Sequence, residues 1–176
     1  VMAVRKHLLS DMSLEELSRD GLFETAARSD PEREAAADAA LDVLLDAGDM
    51  MAFLRAAVGR RKTIVISGGT GSGKTRLLNA LVKEIPRSER LVVIEDAPEI
   101  RLDHPNAVGL VAVRGALGEA QVDADTLLAA SLRLRPDRIL LGELRGREAF
   151  AFLRSVNSGH PGSITTVHAD SPSGAL

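Results

Sequence analysis

The chain has 176 residues, of which 45% are hydrophobic and 27% charged. That balance excludes a disordered segment and is enough to build a core of its own. Lys and Arg number 22 against 25 Asp and Glu, a net charge of −3, which argues against binding through a globally basic surface but not through a local patch. The absence of cysteine rules out a disulfide scaffold, a cysteine-zinc site and a cysteine nucleophile. Four Phe are the only aromatic residues, too few for a platform that stacks bases. No apolar run approaches the roughly 20 residues of a membrane helix, and no basic-then-apolar signal opens the chain. The default expectation is therefore the cytoplasm.

In chain order, residues 1–12 read as a connector. Ser13-Leu14-Glu15-Glu16 has the spacing of a capping box and predicts a short helix to Arg19. Pro31 to Ala47, rich in Ala, Glu and Asp, predicts a helix with Leu41, Leu44 and Leu45 on one face and a solvated charged face. Asp49 to Val58 predicts another, with Met50, Phe53, Leu54 and Ala57 in helical spacing. The character then changes, and the expected organisation is a helical leader or linker over 1–59 and a separate core over 60–176. Strands are predicted at Thr63–Ser67, Leu91–Glu95, Ala107–Val113, Arg138–Gly142 and Ser163–Val167. Helices are predicted at Gly73–Glu84, Ala124–Leu134 and Arg147–Asn157. This alternation predicts an α/β fold with a mostly parallel sheet flanked by helices. Continuous apolar runs such as Ile64-Val65-Ile66 and Ile139-Leu140-Leu141 fit strands buried on both faces. Asp170-Ser171-Pro172 reads as the start of one more helix. A helix pattern near Val1 and a helix start so close to Leu176 lead us to expect a piece of a longer protein.

One segment carries chemistry outright. Gly68-Gly69-Thr70-Gly71-Ser72-Gly73-Lys74-Thr75 fits G-x-x-x-x-G-K-[ST] at every position, with a predicted strand before it and a helix after. The glycines let successive N–H groups face phosphates, and the helix N-terminus adds partial positive charge. Lys74 is placed to reach the β and γ phosphates, and the Thr75 hydroxyl to ligate Mg²⁺. No dinucleotide register fits, because Lys74 stands where its third glycine would be.

Hydrolysis also needs a group that orients water and one that holds the metal. Leu91–Ile94 runs into Glu95 and Asp96, with Glu99 just beyond; Arg138–Gly142 runs into Glu143. Ligands of open α/β sheets sit at the carboxyl ends of strands, so both clusters should share a rim with the phosphate loop. Glu143 is unusual where Asp is the common metal-holding residue, and Gly142 before it permits close backbone approach. A solvated strand-end carboxylate is the alternative for Glu143 and Glu95; a structural cap or surface charge is the alternative for Asp96 and Glu99. A further strand ends on His168, a candidate γ-phosphate sensor, with His160 a second; His7 and His104 read as ordinary residues. Arg133, Arg135, Arg138, Arg145, Arg147 and Arg154 crowd one stretch. They suit phosphate and carboxylate pairing at a site shared between subunits better than a nucleic-acid patch, since Asp137, Glu143 and Glu148 dilute the field.

The stretch Ser131–Gly146, SLRLRPDRILLGELRG, resembles the traffic ATPases of secretion systems. With Asn157–Ser163 and Thr165–Ala169 it looks closest to their type IV secretion and conjugation branch. The resemblance is strong over residues 60–176. It implies a RecA-like P-loop motor domain that turns over ATP with Mg²⁺ in a homohexameric ring. It also implies partners among secretion-machine subunits at the cytoplasmic face of the inner membrane. On this resemblance Gly68–Thr75 matches Walker A; Glu95, Asp96 and Glu99 fall in an acidic box; Glu143 matches an atypical Walker B glutamate; and Gly159–His168 matches a histidine box. Glu143, Glu95 and His168 are then the catalytic candidates. Thr75 and Glu95 are the Mg²⁺ ligands, and His160, Arg133, Arg135 and Arg145 are the sensor or interface candidates. Arg76 departs from the family, which commonly has a second Thr there, and Ala97 stands where the acidic box often has Thr. The resemblance further implies an N-terminal domain before this region and more helices after it. Three rivals stay open: a pilus-assembly or type II secretion ATPase, a nucleotide-dependent assembly switch with little turnover, and a nucleic-acid motor. Direct nucleic-acid binding is not expected.

Overall fold

A computed structural model describes residues 13–21, 31–113, 122–171 and 173–175. The connector expected at 1–12 lies outside them. The chain divides into two compact units, the boundary in the sequence falling between Met50 and Met51. In the first, α1 (Leu14–Arg19) opens on the expected capping box: Ser13 Oγ accepts from the Glu16 N–H at 3.3 Å, and the Glu16 carboxylate accepts from the Ser13 N–H at 2.8 Å. The helix α2 (Pro31–Asp46) follows.

The second unit is built on a sheet. After α3 (Met50–Gly59) come β1 (Ile64–Ser67), α4 (Lys74–Lys83), β2 (Leu91–Glu95) and β3 (Ala107–Val111). Then come α5 (Ala124–Ser131), β4 (Arg138–Leu144), α6 (Glu148–Asn157) and β5 (Ile164–Val167). The five strands run in the order β1-β5-β4-β2-β3, every pairing parallel. The α/β class predicted from alternating strand and helix patterns is the one observed.

The period-two geometry of the strands sorts their side chains onto two faces. Leu91 and Val93 of β2 join Leu140, Ile66 and Ile164 beneath α3 and α4, where Val58, Leu78, Leu81 and Val82 are buried. Val92 and Ile94 join Ile139 and Leu141 on the other face, under Leu128 of α5 and Phe152 of α6. The side chains of Leu91 to Ile94 have no exposed surface, which is why a central parallel strand reads as an unbroken apolar run rather than an alternating one.

Most boundaries fall within a residue of expectation, and four depart further. Strand β3 stops at Val111, and Val113 makes only a lone antiparallel bridge to Val122. The helix expected to reach Leu134 ends as α-helix at Ser131 and tightens into a 3₁₀ turn over Leu132–Leu134. Pro136 lies just ahead and disfavours helical geometry in the residue before it; Arg135 adopts a left-handed φ of 54°. Strand β4 continues past Gly142 to Leu144, with a break in register against β5 between Leu141 and Leu144. Ser173–Ala175 is a single 3₁₀ turn, with Ser171 Oγ accepting from the Gly174 N–H.

Candidate functional site

The strands are parallel, so every carboxyl end points to one rim, and β1, β2, β4 and β5 deliver their chemistry there. The phosphate loop follows β1. Gly71 and Gly73 sit at φ of 75° and 92°, conformations a side chain resists, and they turn the loop into α4. No side chain caps α4, so its first-turn N–H groups remain for a ligand or water. Lys74 folds back, donating from Nζ to the carbonyls of Gly68 and Gly69 at 2.8 Å each. The loop opens on a cleft of about 600 Å³ whose walls include Glu95, Asp96, Glu99, Glu143, Arg145 and His168.

Glu143, the one acid of β4, lines the cleft and is partly buried. The register break next to it marks where the strand turns its side chains away from regular pairing, a common device beside active sites. Thr166 fixes the break by donating its hydroxyl to the Gly142 carbonyl at 2.7 Å. Gly142 leaves room for Glu95, since a Cβ there would lie 3.2 Å from Glu95 Cγ, a tight contact. Arg145 grips Glu143 Oε2 from Nε at 2.5 Å and from Nη2, and its Nη1 lies 3.5 Å from Asp96. His168 Nε2 stands 2.6 Å from Glu143 Oε1. That short approach is poorly aligned: Oε1 is buried and accepts no well-formed hydrogen bond.

The acidic segment after β2 divides its work. Glu95 is only 8% exposed, and its Oε1 accepts from the Glu99 and Ile100 N–H groups at 2.9 and 2.8 Å. That carboxylate shapes the loop. Glu99 is the acid that reaches the phosphate-loop helix, where its Oε2 accepts from the Thr75 hydroxyl at 3.1 Å. Of the pair expected at the metal, Thr75 and Glu95, the structure brings Thr75 together with Glu99 instead.

Other candidates lie elsewhere. His160 precedes β5, at the amino end of the sheet, with Nδ1 2.9 Å from the Pro136 carbonyl. Arg133 and Arg135 are exposed on the turn leading into β4, on that same far rim. Arg138, the first residue of β4, has no exposed surface and is held by both oxygens of Glu89 at 2.6 and 2.9 Å. The hydrogen bond from Arg138 holds the Glu89 carboxyl below the usual carboxylate range, with the charges of Arg138 and Arg61 adding and burial opposing. Of the crowded arginines, Arg145 alone both lines the cleft and grips one of its carboxylates. Asp123 caps α5, and its hydrogen bonds from Thr126 lower its pKa.

Two contributors escape a reading of the sequence. Thr166 is one of several residues in an apolar strand, and nothing local marks its hydroxyl. Asn79 interrupts the apolar helix pattern four residues after Thr75, which is a signal, although a weak one.

A family model described as type II/IV secretion system protein matches residues 34–176. Type IV secretion system protein VirB11 of Bartonella quintana is 43% identical over 96% of this chain and 50% of its own length. The crystal structure of the VirB11 ATPase from the Brucella suis type IV secretion system, in complex with sulphate, superposes with a TM-score of 0.77 at 43% identity. It covers 97% of this chain and 50% of that one. The pilus retraction motor PilT with bound ADP is more distant, with a TM-score of 0.52 and 29% identity over 64% of this chain and 33% of that one. The chain spans about half the length of the VirB11 relatives it matches.

Proposed function

The chain belongs to the type II/IV secretion system protein family, and from that premise we propose that residues 60–176 are the ATP-hydrolysing motor core of a type IV secretion or conjugation machine. The observation that carries the reading is the convergence of a complete phosphate loop, a hydroxyl–carboxylate pair and a partly unsatisfied glutamate on one cleft. The loop amides and Lys74 bind the phosphates, Lys74 exchanging its two carbonyl partners for β and γ oxygens. Glu143 orients the attacking water, which needs His168 to move off its Oε1, while Arg145 holds Oε2. His168, beside Oε1, senses the state of that oxygen.

The donor set fits Mg²⁺, which takes one or two protein ligands and completes its shell with water and phosphate. Thr75 Oγ1 would hold it with Glu99 alongside, and the ion would supply positive charge against the phosphates. Glu95 serves as the scaffold of Glu99, because one of its oxygens is committed to two backbone N–H groups.

By the same reading, a longer chain forms a homohexameric ring at the cytoplasmic face of the inner membrane, with other secretion-machine subunits as partners. Arg133, Arg135 and His160, on the rim away from the cleft, are then interface residues rather than sensors within their own subunit. Among the described residues no helix is long and apolar enough to cross a membrane. The higher identity to VirB11 than to PilT supports the type IV branch over a pilus motor.

The test is a titration of the chain with Mg²⁺-ATP beside Lys74→Ala. Losing the charge-assisted contacts should weaken binding about 10- to 100-fold. Equal affinity in the two chains would sink the reading.

A further inference from the structure

Asn79 lies four residues after Thr75 on α4, so both project from one face of that helix. Leu78, Leu81 and Val82 fall on the adjoining side of the helix and are buried in the core. The face that carries Thr75 and Asn79 meets the acidic segment after β2. Both ends of the Asn79 amide are engaged there. Its Nδ2 donates to the Glu99 carbonyl at 3.1 Å, and its Oδ1 accepts from the Arg101 N–H at 2.7 Å. The Arg101 N–H can only donate and the Glu99 carbonyl can only accept, so the amide has one orientation that satisfies both.

From below, Glu95 Oε1 takes the N–H groups of Glu99 and Ile100. The backbone is thus pinned at three successive residues, Glu99 to Arg101, and the first of them, held through both its N–H and its carbonyl, carries the carboxylate that meets the Thr75 hydroxyl. Asparagine is a poor choice for a helix interior because it competes for backbone bonds. Its presence is explained by the need for one short side chain that both donates and accepts. Asp would keep the acceptor and lose the donor; Ala would lose both.

We propose that Asn79 is a positioning residue that sets the Glu99 carboxylate over Thr75, so that the helix presenting Lys74 and Thr75 to phosphate also fixes the acid on the metal side of the nucleotide. This rests on the nucleotide reading above. It predicts a defect in how Mg²⁺ strengthens nucleotide binding, with binding of the bare nucleotide spared.

The experiment compares the affinity of the chain for ATP with excess Mg²⁺ and for ATP with a chelator. The unaltered chain should bind more tightly with Mg²⁺. In Asn79→Ala the chelator affinity should stay within about twofold, while the gain from Mg²⁺ should fall by about tenfold or more, the usual effect of losing a partner that orients a metal ligand. Glu99→Gln should lose the same gain, and the double variant should lose no more than Glu99→Gln alone, since the two residues act as a unit. An unchanged Mg²⁺ gain in Asn79→Ala, or effects that add in the double variant, would overturn the proposal. If Asn79→Ala does not fold, Asn79→Asp carries the same comparison with the Arg101 contact retained. An unaltered chain that binds ATP equally with and without Mg²⁺ would overturn this inference and leave the nucleotide site standing. No binding under either condition would overturn both.

Discussion

The two rims of the sheet are made from similar residues and do opposite things. At the amino rim, acids and arginines satisfy one another. Glu89 is shared by Arg138 and Arg61, and Arg61 also reaches Asp137. Arg90 donates to the Leu134 carbonyl and to Asn106, and the Asp137 carboxylate accepts from the Arg90 N–H. Of the side chains in that network, only Arg61 Nε is left buried without a partner. At the carboxyl rim, Lys74 is parked on two carbonyls, Thr75 donates its hydroxyl to Glu99, and Glu143 Oε1 is buried without a well-formed bond. A charged group that is buried and fully paired is a structural element; one that is held in place with valence to spare is available to a ligand. Charge density alone would not separate the rims. The difference is in what each rim faces: the carboxyl rim borders the phosphate loop and an open cleft, and the charges of the amino rim are turned on one another.

Substitutions on either side test that contrast, and the largest effect is expected at the carboxyl rim. Glu143→Gln keeps the size and loses the base, so ATP turnover should fall by about 10²- to 10⁴-fold while ATP affinity persists. Unchanged steady-state turnover would remove Glu143 from its role. The mirror experiment is Glu89→Gln, which leaves the Arg138 charge buried without its partner. Urea denaturation should show a loss of about 3–5 kcal/mol, with ATP affinity of the folded chain unaltered. A loss under 1 kcal/mol, read in the same way, would mean that the amino rim is not the closed network described.

The same pair makes a pH prediction. The folded-state pKa of Glu89 is depressed, so its stabilisation is complete above the ordinary carboxylate range and is lost as the pH falls through the lower folded value. The midpoint of urea unfolding should drop along that acid limb, and Glu89→Gln should flatten the drop. The smallest effect sharpens the description of the active rim. Thr166→Val removes the hydroxyl that holds the Gly142 carbonyl and should cost about 1 kcal/mol of stability. If that bond also sets Glu143, turnover will fall more than the stability change accounts for.

The sequence-level reading succeeded where the information is local. Gly68–Thr75 is contiguous, and its loop conformation follows from its own glycines. The strands β2 and β4 announce themselves because burial on both faces leaves no polar position to interrupt them. The capping box at Ser13 is a four-residue device and forms as spelled. It was less informative where neighbours in sequence part company in space. Arg138 and Arg145 bound one seven-residue strand, and an extended strand of that length separates its ends by about 20 Å. The run of arginines is therefore distributed over both rims rather than gathered at one site. His160 and His168 are parted in the same way by β5.

Sequence by itself determined the class of fold, the phosphate loop and the set of acids on its rim, because each depends on a motif or on the period of apolar residues. Tertiary structure decided what each acid touches. Glu95, Asp96 and Glu99 are chemically near-equivalent in a list. They were told apart by the closure of one loop, which turned Glu95 inward to two backbone N–H groups, brought Asp96 toward Arg145 and laid Glu99 on Thr75. That closure depends on Asn79 from another element and on the space left at Gly142, contacts between residues far apart in the chain that no local pattern encodes.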